Sequence, residues 1–156
     1  VDGLIGRGWT DLAVLDLAES ALDVARDRIG DASSRVDWIC ADVTRWRPAR
    51  QWDVWHDRAV FHFLTGAEQR RAYKDALATG LSEGGLLLIA TFALDGPEKC
   101  SGLPVRRYDA PGLQAELGAG YALLDSWREV HTTPWGSAQN FTWCAFRKGD
   151  QLARDH

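Results

Sequence analysis

The chain of 156 residues contains no methionine, not even at its first position, and the expectation from this is a processed protein or a piece of a longer one. No apolar run approaches the roughly 20 residues that a bilayer-spanning helix needs. The opening Val1-Asp2-Gly3-Leu4-Ile5-Gly6-Arg7-Gly8 has no basic head followed by an apolar stretch, so it does not read as a secretory signal. Positive charge is not in surplus: 18 Lys and Arg against 22 Asp and Glu leave a net charge of −4. That sign argues against a surface built to hold nucleic acid phosphates or anionic lipid. Cysteine is sparse as well. Cys40, Cys100 and Cys144 are far apart, odd in number and without CxxC spacing, which excludes a disulfide framework and a zinc site. They read as reduced thiols, with a cytoplasmic location as the expectation.

What is present is an ordinary globular composition, 46% hydrophobic and 26% charged, in a length that fits one domain. Tryptophan is the exception, with eight copies. Its flat ring and single N–H donor serve a pocket lining as well as a core. No repeat, low-complexity tract or linker divides the chain.

Short apolar runs alternate with helical patterns. Leu12-Ala13-Val14-Leu15 reads as a buried strand stopped by Asp16. From Glu19 to Ile29, Ala21, Leu22, Val24, Ala25 and Ile29 share one helical face, and Gly30 ends it. Val36 to Cys40 is a second strand, stopped at Ala41-Asp42, and Trp52 to His56 a third. Ala67 to Leu81 is helical, broken by Gly84-Gly85. Leu86 to Phe92 is the most hydrophobic strand, a continuous run suited to a parallel strand covered on both faces. Asp109 to Leu117 is a short helix with Asp109 as its cap. Tyr121 to Val130 and Phe141 to Arg147 are two longer strands joined through Thr133-Pro134-Trp135-Gly136.

This order predicts an α/β fold, a doubly wound Rossmann-like sheet. Ligands in such sheets bind outside the carboxyl ends of the parallel strands. The residues to weigh are therefore Asp16, Asp42, His56 to Arg58, and Phe92 to Asp95. Asp16, between a strand and a helix, fits either a ribose diol or a plain helix cap. Asp42 repeats the placement one strand later, where it fits an adenine amino group or a turn. Two successive strands presenting an acid at one edge fit a nucleoside lying across that edge.

Four segments, Val14-Leu15-Asp16-Leu17, Trp38-Ile39-Cys40-Ala41-Asp42-Val43, Trp52 through Leu64 and Leu81 through Ile89, resemble class I S-adenosylmethionine-dependent methyltransferases in order and spacing. The third is similar to that family's F-D-x-V-x-S-x-A-V-L-H-H-L pattern, the fourth to its L-x-P-G-G-x-L-x-I. The resemblance covers nearly the whole chain. It implies a methyltransferase domain over residues 1–149 with a C-terminal tail at 150–156, a mostly parallel sheet with a C-terminal antiparallel strand, and S-adenosyl-L-methionine as cofactor. Asp16 is then the ribose ligand with Leu17 on the adenine, and Asp42 the adenine ligand with Val43 beside it. The family's first, central strand and its G-x-G-x-G loop have no counterpart before Asp16, where Val1 to Gly8 looks like the tail of the following helix.

Methyl transfer from a sulfonium needs chiefly alignment, and a base only if the acceptor arrives protonated. His56, Asp57, Arg58 and His62 cluster after the third strand: His56 as a base, Asp57 as a partner of the donor's ammonium or of Arg58, and His62 as a buried structural histidine. The resemblance makes the strand from Tyr121 to Val130 parallel to the others, which sends His131, Thr132, Thr133 and Trp135 to the same edge. Cys100-Ser101-Gly102-Leu103-Pro104 fits a lid. The expected partner is a small-molecule or protein methyl acceptor, with no nucleic acid and no membrane. Two other readings stand beside this one: a nicotinamide-dependent oxidoreductase, since an acid after the second strand also serves a dinucleotide ribose, and a noncatalytic remnant acting as an interaction module through exposed Trp and apolar surface.

Overall fold

A computed structural model describes residues 1–149. The tail predicted at 150–156 lies outside the described residues. The chain divides into two compact units, Val1–Trp46 and the residues from Arg47 on. Among the described residues, no helix is long and apolar enough to cross a membrane.

The first unit runs α1 (Asp2–Gly6), β1 (Leu12–Asp16), α2 (Glu19–Ile29), a 3-10 turn (Gly30–Arg35) and β2 (Val36–Cys40). β1 and β2 are parallel and in register, from Leu12 opposite Val36 to Asp16 opposite Cys40. A parallel pair needs a crossover, and α2 supplies it. The helix buries Leu22, whereas Val24, on the stripe expected to face inward, is exposed. Gly30 stops α2 at a φ of +71°, a conformation that costs a side-chain-bearing residue energy. Asp2 in α1 accepts both guanidinium bonds of Arg28 at the end of α2.

The second unit runs β3 (Trp52–Arg58), α3 (Ala67–Gly80), β4 (Leu81–Phe92), the small hairpin β5 (Lys99–Cys100) and β6 (Leu103–Pro104), α4 (Ala110–Leu117), β7 (Tyr121–Thr132) and β8 (Ala138–Lys148). Its main sheet has the order β3-β4-β8-β7. β3 and β4 are parallel, and β8 is antiparallel to both β4 and β7. β7 therefore points the same way as β3 and β4, as expected. The core is built on Phe61, Leu77, Leu81, Leu87, Ile89, Phe92, Leu113, Cys144 and Phe146. Arg70 ties α3 to α4 through Glu116 at 2.9 Å and also donates to the carbonyls of Leu64 and Thr65. Asp109 caps α4 by accepting from the Gly112 amide at 2.8 Å, as the sequence predicted.

Strand ends differ from the sequence reading in β3, β4, β7 and β8; β7 runs on to Thr132 and β8 begins at Ala138, so His131 and Thr132 are strand residues. β4 starts at Leu81, because Gly84-Gly85 forms an irregularity inside the strand instead of breaking the chain before it: Trp52 pairs with Leu81, but Val54 already pairs with Leu86. Gly84 takes φ +77°, and a Cβ on Gly85 would meet the Ser82 carbonyl at 2.7 Å. β3 runs on to Arg58, so Asp57 and Arg58 are strand residues and not loop residues.

Neither β1 nor β3 has a second strand partner among the described residues. The mixed α/β architecture is the one expected.

Candidate functional site

The residues predicted from sequence fall in both units, four in the first and four in the second. In the first, the in-register parallel pairing sets Asp16 at the carboxyl end of β1 beside Cys40, and Asp42 follows two residues later at the same end of β2. Both acids thus share one edge of the two-stranded sheet. The Asp16 carbonyl accepts from the Ala41 amide at 3.0 Å, joining the two strand ends.

Each carboxylate shapes its own turn. Asp16 Oδ1 accepts from the Ala18 amide at 2.9 Å, the local bond of a short polar residue before a helix. Asp42 Oδ1 accepts from the Thr44 hydroxyl at 2.7 Å and the Thr44 amide at 2.9 Å, and these bonds hold its pKa below the usual carboxylate value. In both, Oδ2 takes no part in these bonds. Leu17 is 71% exposed, with an open apolar side chain beside Asp16, whereas Val43 is buried.

In the second unit, the pleat divides the cluster that looks continuous in sequence. Successive strand residues face opposite sides, so His56 and Arg58 lie on one face of β3 and Asp57 on the other. Asp57 is buried. Its Oδ1 accepts from the Val60 amide at 2.9 Å, and its Oδ2 from the Phe61 amide at 3.2 Å and the Tyr73 hydroxyl at 2.5 Å. The Tyr73 oxygen in turn accepts from Trp55 Nε1 at 3.1 Å. Burial raises the Asp57 pKa to about 6 against the lowering effect of these bonds, and burial beside this carboxylate pushes the Tyr73 hydroxyl well above its ordinary value.

The expectation that Asp57 meets the donor's ammonium or Arg58 is therefore corrected. Both of its oxygens are spent inside the core, where they fix the turn after β3. That turn includes Ala59 at φ +69°, a strained conformation for a residue with a Cβ.

Arg58 instead donates to Glu129 on β7 at 3.0 Å, and its guanidinium lies 4.5 Å from the centroid of the Phe141 ring. The His56 ring lies 5.5 Å from that of Trp143, and desolvation lowers the His56 pKa, favouring its neutral form. Trp143 stacks in parallel on Trp127, 5.8 Å away at an interplanar angle of 2°. His131 lies two residues past Glu129 on the same face of β7, opposite Gln139. His62 is fully buried, as predicted for a structural histidine: its Nδ1 accepts the Phe92 amide at 3.0 Å, and burial lowers its pKa to about 4.

The predicted lid is a two-residue hairpin, with Ser101 and Gly102 both at positive φ. Cys100 and Val105 pack against the cluster of Ala90, Phe92, Phe141 and Trp143. Trp135, at the β7–β8 turn, is 80% exposed. Sequence reasoning did not single out Trp127, Glu129, Trp143 or Tyr73. The available signal was the two-residue alternation that sets Trp127, Glu129 and His131 on one face.

No family model and no curated protein sequence matches the chain. Among solved structures, it is similar to the N-methyltransferase NodS of Bradyrhizobium japonicum WM9, with a TM-score of 0.71 and 16% identity over 90% of this chain and 74% of that one. It is also similar to the 1,6-didemethyltoxoflavin-N1-methyltransferase of Burkholderia thailandensis, solved with 1,6-didemethyltoxoflavin and S-adenosylhomocysteine; the TM-score is 0.72 and the identity 21%, over 95% of this chain and 65% of that one. A third similarity is to a SAM-dependent methyltransferase of Methanosarcina mazei, with a TM-score of 0.73 and 10% identity over 96% of this chain and 86% of that one. The fold is that of the class I S-adenosylmethionine-dependent methyltransferases.

Proposed function

We propose that the chain is a class I S-adenosylmethionine-dependent methyltransferase domain, over residues 1–149, acting in the cytoplasm on a small-molecule or protein acceptor. The observation that carries the reading is the shared edge of Asp16 and Asp42, each with a carboxylate oxygen outside the bonds to its own turn. These acids fit the adenosine half of the cofactor. Asp16 Oδ2 is suited to a ribose diol and Asp42 to an adenine amino group, with the exposed Leu17 and the buried Val43 as apolar neighbours. The 156 residues contain no G-x-G-x-G segment, so the cofactor-binding residues proposed among them are those for the adenosine half.

When bound, the cofactor supplies a methyl group on a sulfonium. In this reading, His56, whose pKa desolvation lowers, takes a proton from the acceptor, while Arg58 and His131 orient it. Asp57 is a positioning residue that sets the turn after β3. The fold likeness and the three free cysteines are consistent with this assignment.

The test is transfer of labelled methyl from S-adenosylmethionine to a panel of phenols, amines and peptides, repeated with Asp16→Ala. A hydrogen bond to a charged acceptor contributes roughly 1.5–3 kcal/mol, and the ribose does not change charge in the reaction. Loss of such uniform binding raises the donor KM by about one to two orders of magnitude and leaves kcat nearly unchanged. A fall in kcat at saturating donor, with KM unchanged, overturns the ribose assignment.

One observation favours the second reading of an interaction module. β1 and β3 each have one edge without a strand among the described residues, and open edges recruit other chains. Light scattering tests this reading, since open edges and exposed apolar surface favour self-association.

A further inference from the structure

One row of the main sheet, read across its strands, holds Arg58, Ala90, Trp143 and Trp127 in register, at the last residue of β3. The neighbouring positions on the same face carry His56, Phe141 and Glu129. The contacts among them are continuous: the His56 ring meets Trp143, Trp143 stacks on Trp127, and Arg58 covers Phe141 while paired with Glu129. Trp143 is 8% exposed, but Trp127, with one face on Trp143, is 42% exposed. The Arg58–Glu129 pair beside it is also open, with side-chain exposures of 39% and 41%.

We propose that this face holds a planar aromatic acceptor, stacked on the open side of Trp127 with its polar edge toward Arg58 and Glu129. Calling the ligand an acceptor rests on the methyltransferase reading; the geometry of the site does not. A third plane extends a stack that is already parallel, and an aromatic ring gains from this beyond the area it buries. The ion pair decides between a flat ring and an aliphatic helix. A helix laid over Trp127 would take both charges out of water without new partners, which is costly. A single ring covers the indole and leaves the outer side of the pair hydrated, with a donor and an acceptor for the ring's substituents. Cys100 of the hairpin and Val105 just after it pack against the same aromatic cluster, which includes Phe92.

The test uses two alcohols of matched skeleton, 2-naphthol and decahydro-2-naphthol, titrated into the full chain labelled with nitrogen-15. The buried Trp143 Nε1 has no hydrogen-bond partner among the described residues, so its N–H resonance reports on changes in the stack. The expected result is that 2-naphthol shifts the Trp127 and Trp143 indole signals and binds at least tenfold more tightly than its saturated analogue. Trp127→Leu removes that preference, and Trp127→Phe keeps part of it; Trp127 is exposed enough for both variants to fold, which far-UV circular dichroism checks. Equal affinity for the two alcohols in the unsubstituted chain, or a preference that survives Trp127→Leu, overturns the proposal. A chain that shows the preference but transfers no methyl group supports this site and counts against the methyltransferase reading. A chain that methylates without any ring preference overturns this site alone.

Discussion

Leu12-Ala13-Val14-Leu15 of β1 and Leu87-Leu88-Ile89-Ala90 of β4 have the same apolar character, yet every residue of β1 is half-exposed while Leu87, Ile89 and Ala90 are fully buried. The difference lies in their neighbours. β4 has β3 on one edge and β8 on the other, and α3 packs against it. β1 has β2 on one edge and no second strand partner among the described residues. An apolar run records the burial a strand is built for, and its neighbours decide how much of that burial it receives. The two units therefore contribute differently: the second carries the packed core, and the first carries acids on a lightly buried frame.

The largest expected effect tests that contrast directly. Leu87→Ala should destabilise the chain by about 4 kcal/mol, since a fully buried leucine leaves a cavity as well as losing its transfer energy. Leu15→Ala, at a half-exposed position, should cost about 1 kcal/mol. Urea unfolding measures both. Equal costs would mean that β1 is as well packed as β4.

A pH series sharpens the contrast, because the second unit buries two groups whose shifts oppose each other. Asp57 has a folded pKa raised to about 6 from 3.8, so its contribution to stability is complete below about pH 4 and is lost as pH rises through 6. His62 is lowered to about 4 from 6.5, so its contribution is complete above 6.5 and is lost as pH falls through 4. Between about pH 4 and 6, the two slopes, each about 1.4 kcal/mol per pH unit, cancel. Asp57→Asn should unmask stability that rises with pH in this window. His62→Asn, which keeps an acceptor for the Phe92 amide, should unmask stability that falls. Thermal melts at four pH values check this, and parallel curves for both variants and the parent would refute it.

The smallest effect concerns the turn that Asp57 fixes. Ala59 holds φ +69°, where a Cβ is strained and glycine is not. After glycine's extra entropy in the unfolded chain, Ala59→Gly should raise stability by about 0.5 kcal/mol. A loss of more than about 1 kcal/mol would show instead that the Ala59 methyl matters through its packing on the aromatic cluster.

The sequence revealed the alternation of elements, the Asp109 cap and the acids at the ends of β1 and β2, because each depends on residues close along the chain. The fate of Asp57 depends on partners that are not. Its burial comes from Tyr73 on α3, and its separation from Arg58 comes from β3 continuing two residues past His56, which turns a run of three polar side chains into two faces. Glu129 and Trp127 were hidden for a similar reason. Their partners Arg58 and Trp143 reach them across the strand order β3-β4-β8-β7, which joins the third strand to the seventh through two others. The length of β4 was misread because paired glycines signal a break in the chain as readily as an irregularity within a strand.

Calorimetry with S-adenosylhomocysteine tests whether the edge shared by Asp16 and Asp42 receives an adenosine. The expected result is saturable but weak binding, with Kd above about 10 μM (less than roughly 7 kcal/mol in magnitude), since Asp16 and Asp42 are proposed to meet the adenosine half alone. The adenosine assignment also predicts that Asp16→Ala and Asp42→Ala each weaken binding by tenfold or more, and that NAD gives no comparable heat. Binding of S-adenosylhomocysteine that both substitutions leave unchanged, or NAD bound more tightly than S-adenosylhomocysteine, would contradict it.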